Sequence, residues 1–563
     1  MKHTRKSFPA ATMLLAVAVL SFAPSAPFAR AAAAATTIVT NEAQLASGEE
    51  AHVVHTYSIG AGGLTLSDGD TLSLGGYVAN TGTPNNVPVA LSGGALVIGN
   101  GGTLDLQQAW KNSSPAQGSV QYNVGGALTL DAGGVINFGA TPTVSDRGYG
   151  AVTGDFRLLV NGNLALNDGN LVSAVSSPQL WLKGGANTIR AAVSVPAAAT
   201  VVLNAGGSAG SPQILNTEAG LAKIIIRYGG NQFATLAATG ATSDGLNVGQ
   251  IQIHQQNSGA STTLKLGSDI TTTNLSLSGG PSSGNVTYAI DTGGHTLDMT
   301  ASAARFQPDR INANVATTWN LAGGGVFKAH SFRFDLRDNV SVNVGANTTL
   351  IASAANVTNF LGTQTSASGT GTVDATSTFI YDAANTTDKS YLNANVAIGK
   401  VVAQKGIIEA ATDLDIRGGL VIRAGAAFDA VGKTITTPSI IFGIDGADFG
   451  KISDGATSAV SIAGKSLTFD FATRPASDDS CSFFPSGVTG SAADVSVTFS
   501  GIDVLVLNNN NGVWSAMLDG ITYTFTESSG ALTVAGAIPE PATLALLAGA
   551  GAFLFVVVRH YRH

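Results

Sequence analysis

Gly62-Gly63-Leu64-Thr65-Leu66-Ser67-Asp68-Gly69-Asp70-Thr71-Leu72-Ser73-Leu74 is the stretch from which the fold is read. Gly94-Ala95-Leu96-Val97-Ile98 repeats its opening and leads to Leu104-Asp105-Leu106. Gly126-Ala127-Leu128-Thr129-Leu130 does the same and leads to Ile136-Asn137-Phe138. In each copy the second apolar pair starts eight residues after the first, and the copies start 32 residues apart, at Leu64, Leu96 and Leu128. Apolar residues at alternate positions point to one side of a strand and the residue between them to the other. The Asp-Gly, Asn-Gly and Gly-Gly pairs between them supply the left-handed backbone of a tight turn. Each unit therefore reads as strand, turn, strand.

One such unit cannot bury its own apolar side, whereas stacked copies can. A looser copy runs from Leu164-Ala165-Leu166 to Val172, with echoes at Val342, Val344 and Leu350 and at Leu420, Ile422 and Phe428. The expected class is all-β: a right-handed parallel β-helix over 34–440, with a coil every 20–35 residues or so. Separate β-sandwich modules are the alternative. Ala-, Ser-, Thr-, Gly- and Asn-rich stretches such as Thr363 to Thr378 read as loops. The texture changes near Ile440, and 441–536 reads as a small antiparallel module capping the open strand edges. In it Val504–Leu507 and Val513–Met517 form a hairpin around Asn508–Gly512, Asp519-Gly520 turns the chain again, and 476–481 is irregular.

Composition limits the function. Charged residues are 11 % of 563, against about 25 % in an average soluble protein. A single cysteine excludes a disulfide scaffold and a cysteine-ligated zinc or iron–sulfur centre. The ends distort the charge count. Residues 1–33 hold four Lys/Arg and no acid, and 539–563 hold two Arg and one Glu, so the body keeps 22 basic and 35 acidic residues, a net of −13. Such a body stays soluble and is a poor nucleic-acid partner.

Both ends read as targeting segments. Lys2, Arg5 and Lys6, an apolar run from Ala10 to Ala23, and small residues at Ala29, Ala31 and Ala33 form a signal peptide over 1–33. It makes signal peptidase and the general secretion machinery partners; a retained membrane anchor is the competing reading. At the other end, Ile538-Pro539-Glu540-Pro541 precedes an apolar stretch from Ala542 to Val558, then Arg559-His560-Tyr561-Arg562-His563. Seventeen helical residues span about 26 Å, close to the ~30 Å hydrocarbon core. Pro541 suits a first helical turn, and Arg559 and Arg562 form a basic stop on the cytoplasmic side.

This tail resembles the PEP-CTERM sorting signal of Gram-negative envelope proteins in Pro539-Glu540-Pro541, Leu544 to Leu547, the small residues Ala548 to Ala552 and the Arg-containing end. Its end is less arginine-dense than in many family members. The resemblance implies an exosortase as processing partner and a chain anchored transiently in the inner membrane through 542–558, with 537–563 as the sorting segment. The Gly-Gly-x-Leu-x-Leu units of 37–440 resemble the strand repeats of autotransporter passengers and secreted adhesins, but the membrane barrel that ends an autotransporter is missing from this sequence.

No catalytic constellation, metal site or cofactor motif emerges. His52 and His55 share a face only on a helix, and His254, His295 and His330 stand apart. Cys481 has no histidine near it in sequence. Asp68-Gly69-Asp70 reads as a turn before it reads as a calcium ligand. Lys328, His330, Arg333, Asp335, Arg337 and Asp338 form the densest charge cluster. Alternation puts Arg333, Asp335 and Arg337 on one face, as an ion-pair row or as a groove for an acidic glycan. Aromatic residues are 7 %, a thin supply for sugar stacking. The expectation is a non-enzymatic structural or adhesive protein of the cell surface or extracellular matrix, with extracellular polysaccharide as a partner. The alternative is a β-helix polysaccharide lyase or hydrolase acting on acidic glycans.

Overall fold

The computed structural model describes residues 37–39, 50–53, 56–74, 89–107, 120–140, 156–238, 245–301, 305–308, 314–334, 339–354, 357–358, 370–455, 459–475 and 478–536. The stretches read from sequence as a signal peptide (1–33), a sorting segment (537–563) and an apolar span (542–558) lie outside them. Among the described residues the chain is all-β, and no helix is long and apolar enough to cross a membrane. The chain divides into two compact units, Met1–Ser302 with Arg310–Thr318, and Ala303–Asp309 with Trp319–His563.

In the first unit the repeats pair in parallel and in the register their spacing predicts. Leu64 sits beside Leu96, Leu96 beside Leu128, and Leu128 beside Leu164. The second strand of each unit stacks likewise, Leu72 beside Leu104, Leu104 beside Ile136, and Ile136 beside Leu171. A third sheet adds another column of the core: Leu91, Val124, Val160, Leu182, Leu203, Ile226 and Ile253 are consecutive partners, all fully buried. Long parallel sheets of this kind are consistent with a β-helix. The looser fourth copy is one residue out from the sequence reading: Leu171 faces the core at 3 % exposure and Val172 faces out at 43 %.

The glycines that open each repeat have a packing role beyond turns. Gly94, Gly126, Gly162 and Gly184 stack where the chain rounds a corner. A Cβ on Gly126 would stand 2.2 Å from the carbonyl oxygen of Gly94, and one on Gly184 2.3 Å from that of Gly162. Successive corners approach too closely for any side chain.

In the second unit, strands Val326–Ala329, Thr349–Ala352, Thr378–Asp382, Lys400–Lys405, Leu420–Ile422, Ser439–Asp445, Ser466–Phe471 and Asp494–Phe499 pair in parallel, each with the next. Parallel pairing thus runs on past Ile440 to Phe499. A five-stranded antiparallel sheet has the order Asp479–Ser482, Ala531–Ala535, Ile521–Thr526, Val513–Leu518, Asn508–Asn510. Its inner face packs on the last parallel strands through aromatic rings, Phe469 to Phe525 at 5.2 Å and Phe471 to Tyr523 at 5.9 Å between centroids. Asp519-Gly520 forms the expected turn, both residues having positive φ. The hairpin before it differs from the sequence reading: Asn511-Gly512 make the turn and Asn508–Asn510 pair with Val513–Leu518, while Asp503–Val506 pairs instead, antiparallel, with Asp494–Phe499. Two stretches read as irregular or loop contain strands, Asp479–Ser482 and Thr370–Val373.

Candidate functional site: a cationic sheet face with a central tryptophan

The third sheet of the first unit turns its apolar columns inward, and alternation leaves every other residue on the outer side. Parallel register gathers those outward residues from strands far apart in sequence. Arg157 pairs with Gln179, Leu159 with Trp181, Trp181 with Val202, Lys223 with Gln250, and Arg227 with His254. Lys183 continues the Trp181 strand, its amide donating to the Val160 carbonyl at 2.9 Å. Arg157, Lys183, Lys223 and Arg227 thus share one face. Among the described residues, the outward positions from Gln121 to Ser276 in this register carry no carboxylate. In a body with a net charge of −13 this is a local reversal of sign.

Trp181 organises the face. The Arg157 guanidinium carbon lies 4.5 Å from its ring centroid and that of Arg227 5.3 Å. Both are within cation–π range. The indole Nε1 donates to Gln179 Oε1 at 2.7 Å, which fixes the ring in its plane. Val202, an outward residue on the next strand, is nevertheless fully buried. His254 extends the face: its Nδ1 shares a hydrogen bond with Ser278 Oγ at 3.2 Å. Burial, and then the Arg227 charge, hold its imidazole below the usual histidine range, so it is neutral near pH 7. The arrangement presents guanidinium donors held against an aromatic ring, a lysine on the strand of the ring and another on the strand of Arg227, and a flanking imidazole. Guanidinium matches carboxylate and sulfate oxygens in a planar, two-point fashion.

A recess lies in the other unit, a cleft of about 670 Å³ lined by residues 394–397 and by Ala411, Thr412, Asp413, Asp415, Arg417 and Lys433. Its carboxylates are engaged locally: Asp413 Oδ1 accepts from the Thr434 amide at 2.8 Å, and Arg417 Nε donates to Asp415 Oδ2 at 3.3 Å.

The residues singled out from sequence fare differently. Pro539, Glu540, Pro541, Arg559 and Arg562 lie outside the described residues, as do His55, Asp335, Arg337 and Asp338. Of the charge cluster, Lys328 and His330 flank the buried Ala329, and Arg333 follows the short strand Ser331–Phe332. His52 sits on strand Glu50–Val53 beside Ser73, and His295 Nδ1 is 3.6 Å from Asp269 Oδ1 on the surface. Among the described residues no three His, Cys, Asp or Glu side chains stand together as a metal site. The sequence reading missed the Trp181 face.

Cys481 is buried on strand Asp479–Ser482 opposite Leu532. Burial, then the charge of Asp479, push its thiol up to about 11 from an ordinary value of 9.0. At pH 8 its thiolate population is therefore about 100-fold below that of a free cysteine. Reaction of the native chain with an aromatic disulfide reagent should be slower by at least that factor, and unfolding in guanidinium should restore the ordinary rate. Modification of the native chain at the ordinary rate would mean an exposed, ionised thiol.

Known protein-family models, curated proteins and solved structures contain no match to this chain.

Proposed function

We propose that this chain is an exported cell-envelope protein, sorted by an exosortase, that is structural and adhesive and holds acidic polysaccharide on its surface. In this reading its strands wind as a right-handed parallel β-helix. The tail 537–563 anchors it transiently in the inner membrane before processing, and the mature chain resides at the outer surface or in the extracellular matrix. The observation that carries the adhesive part is the cationic face around Trp181. An acidic body repels a polyanion, so such a face has no value for solubility. At physiological ionic strength that general repulsion is screened beyond about 8 Å, whereas direct contacts to the face are not. The parallel stack of buried apolar columns supports the structural part.

Electrophoresis of the exported chain through gels containing polygalacturonate, dextran sulfate or neutral dextran tests the reading. Retardation is expected in the two acidic gels and not in dextran, and should fade towards roughly 1 M salt, where the screening length falls to about 3 Å. Equal mobility in all three would refute it. The cleft beside Arg417 and Lys433 favours the enzymatic alternative. Release of unsaturated oligosaccharide from polygalacturonate, lost in Arg417→Ala, would decide for a lyase.

A further inference from the structure

Among the described residues the most exposed large apolar side chains of the second unit are Ile502, Val504, Val506 and Met517, at 80 %, 64 %, 63 % and 67 % exposure. Val504 and Val506 share one side of strand Asp503–Val506, which lies beside strand Val513–Leu518 bearing Met517. Isolated exposed valines need no explanation, but four large apolar residues together do.

Their position relative to the chain's exit is the informative part. Arg474 pairs with Asp519 through Nη1 and approaches Asp503 Oδ2 to 3.9 Å through Nη2. The turn carrying Ile502 and the Asp519-Gly520 turn therefore share one rim. Gly536, the last described residue, lies on that rim: a Cβ there would stand 2.7 Å from the Gly520 carbonyl oxygen, and its amide donates to Asp478 Oδ1 at 3.0 Å. From Gly536 to Ala542, where the apolar stretch begins, is six residues, a reach of at most about 20 Å.

We infer that Ile502, Val504, Val506 and Met517 form a lipid-contacting patch that seats this end of the protein on the bilayer interface while the tail is still attached. The inference rests on the reading of 542–558 as a membrane span. A span starting so close to the rim brings the patch to the headgroup region, where apolar side chains are buried at little ordering cost. Of the carboxylates at this rim, Asp503 and Asp519 share the Arg474 guanidinium and Asp478 accepts from the Gly536 amide. Pro539-Glu540-Pro541 would then be presented at the membrane surface rather than out in the aqueous phase.

The exported chain with its tail, carrying Met517→Cys or Val504→Cys labelled with an environment-sensitive fluorophore, tests this in phosphatidylethanolamine–phosphatidylglycerol vesicles. Cys481 is buried and stays unlabelled. Asn510→Cys, at the far end of these strands and about 14 Å from position 517 and about 20 Å from position 504 along them, is the control. Flotation with the vesicles reports the tail, and Leu547→Arg with Phe553→Arg should abolish it. The inference expects flotation, a blue shift and quenching by brominated lipid at 517 and 504, and neither signal at 510. Flotation with the probes at 517 and 504 still in water overturns the patch while leaving the tail reading intact. Failure to float overturns the tail reading and the patch with it. A shift without vesicles that grows with protein concentration means a second copy covers the patch, and also overturns it.

Discussion

Leu128→Asp should strip hydrogen-exchange protection from the strands between Leu96 and Leu166, while the antiparallel strands between Val513 and Ala535 keep theirs. Leu128 is fully buried between Leu96 and Leu164 on neighbouring strands. Truncating a buried leucine to alanine costs about 2–5 kcal/mol, and a carboxylate there adds the cost of burying an unpartnered polar group, roughly 1–3 kcal/mol or more. The total is comparable to the entire stability of an ordinary domain, about 5–15 kcal/mol. Stacked strands depend on their immediate neighbours, so the loss should be regional rather than global. Thr129→Asp, one residue along and on the outer side, should change stability by only about 0.5 kcal/mol. Equal damage from both variants would mean that Leu128 and Thr129 do not face opposite ways. Collapse of protection at 513–535 as well would mean that the stack unfolds as one block.

The parallel register of the first repeats was legible because three local signals agree: two-residue alternation, glycine at the corner and a constant 32-residue spacing. Where spacing varies, the reading degrades. Leu128 pairs with Leu164, not four residues earlier, and beyond that the intervals become irregular. The eight-residue spacing from Leu164 points to Val172, but in this copy the interval shortens to seven and Leu171 is the core residue beside Ile136. Asp479–Ser482 looked irregular because Asp, Ser and Cys carry little strand propensity, yet pairing with Ala531–Ala535 overrides it. The cationic face was invisible for a related reason. Arg157, Trp181 and Arg227 are adjacent only after unequal coils are registered, and nothing local to any of them reveals that register.

Trp181→Ala is the variant expected to do most harm to polysaccharide binding. Its ring holds both guanidinium groups, so its loss frees two long side chains to reorient and reinstates the entropy cost of ordering them on a ligand. A charge-assisted hydrogen bond contributes about 1.5–3 kcal/mol. Losing one well-ordered contact at each arginine would weaken binding by about 100-fold or more. Trp181→Phe keeps an aromatic face but not the Nε1 bond to Gln179, and should cost about tenfold or less. Arg157→Gln and Arg227→Gln should each fall between these two and lower the salt sensitivity of binding. His254 adds a pH signature. Because burial and Arg227 depress its titration, binding to dextran sulfate should be flat around pH 7 and strengthen only as pH falls below the usual histidine range. Arg227→Gln removes the second cause of that depression, so the rise should move to higher pH. Dextran sulfate is the proper ligand here, since its own charge stays constant through this range. Thermal stability measured on the same variants separates the two roles of the tryptophan, as cover for Val202 and as clamp for the arginines. If Trp181→Ala lowers stability and leaves dextran sulfate affinity unchanged, the ring is a lid on an apolar residue and the face binds nothing.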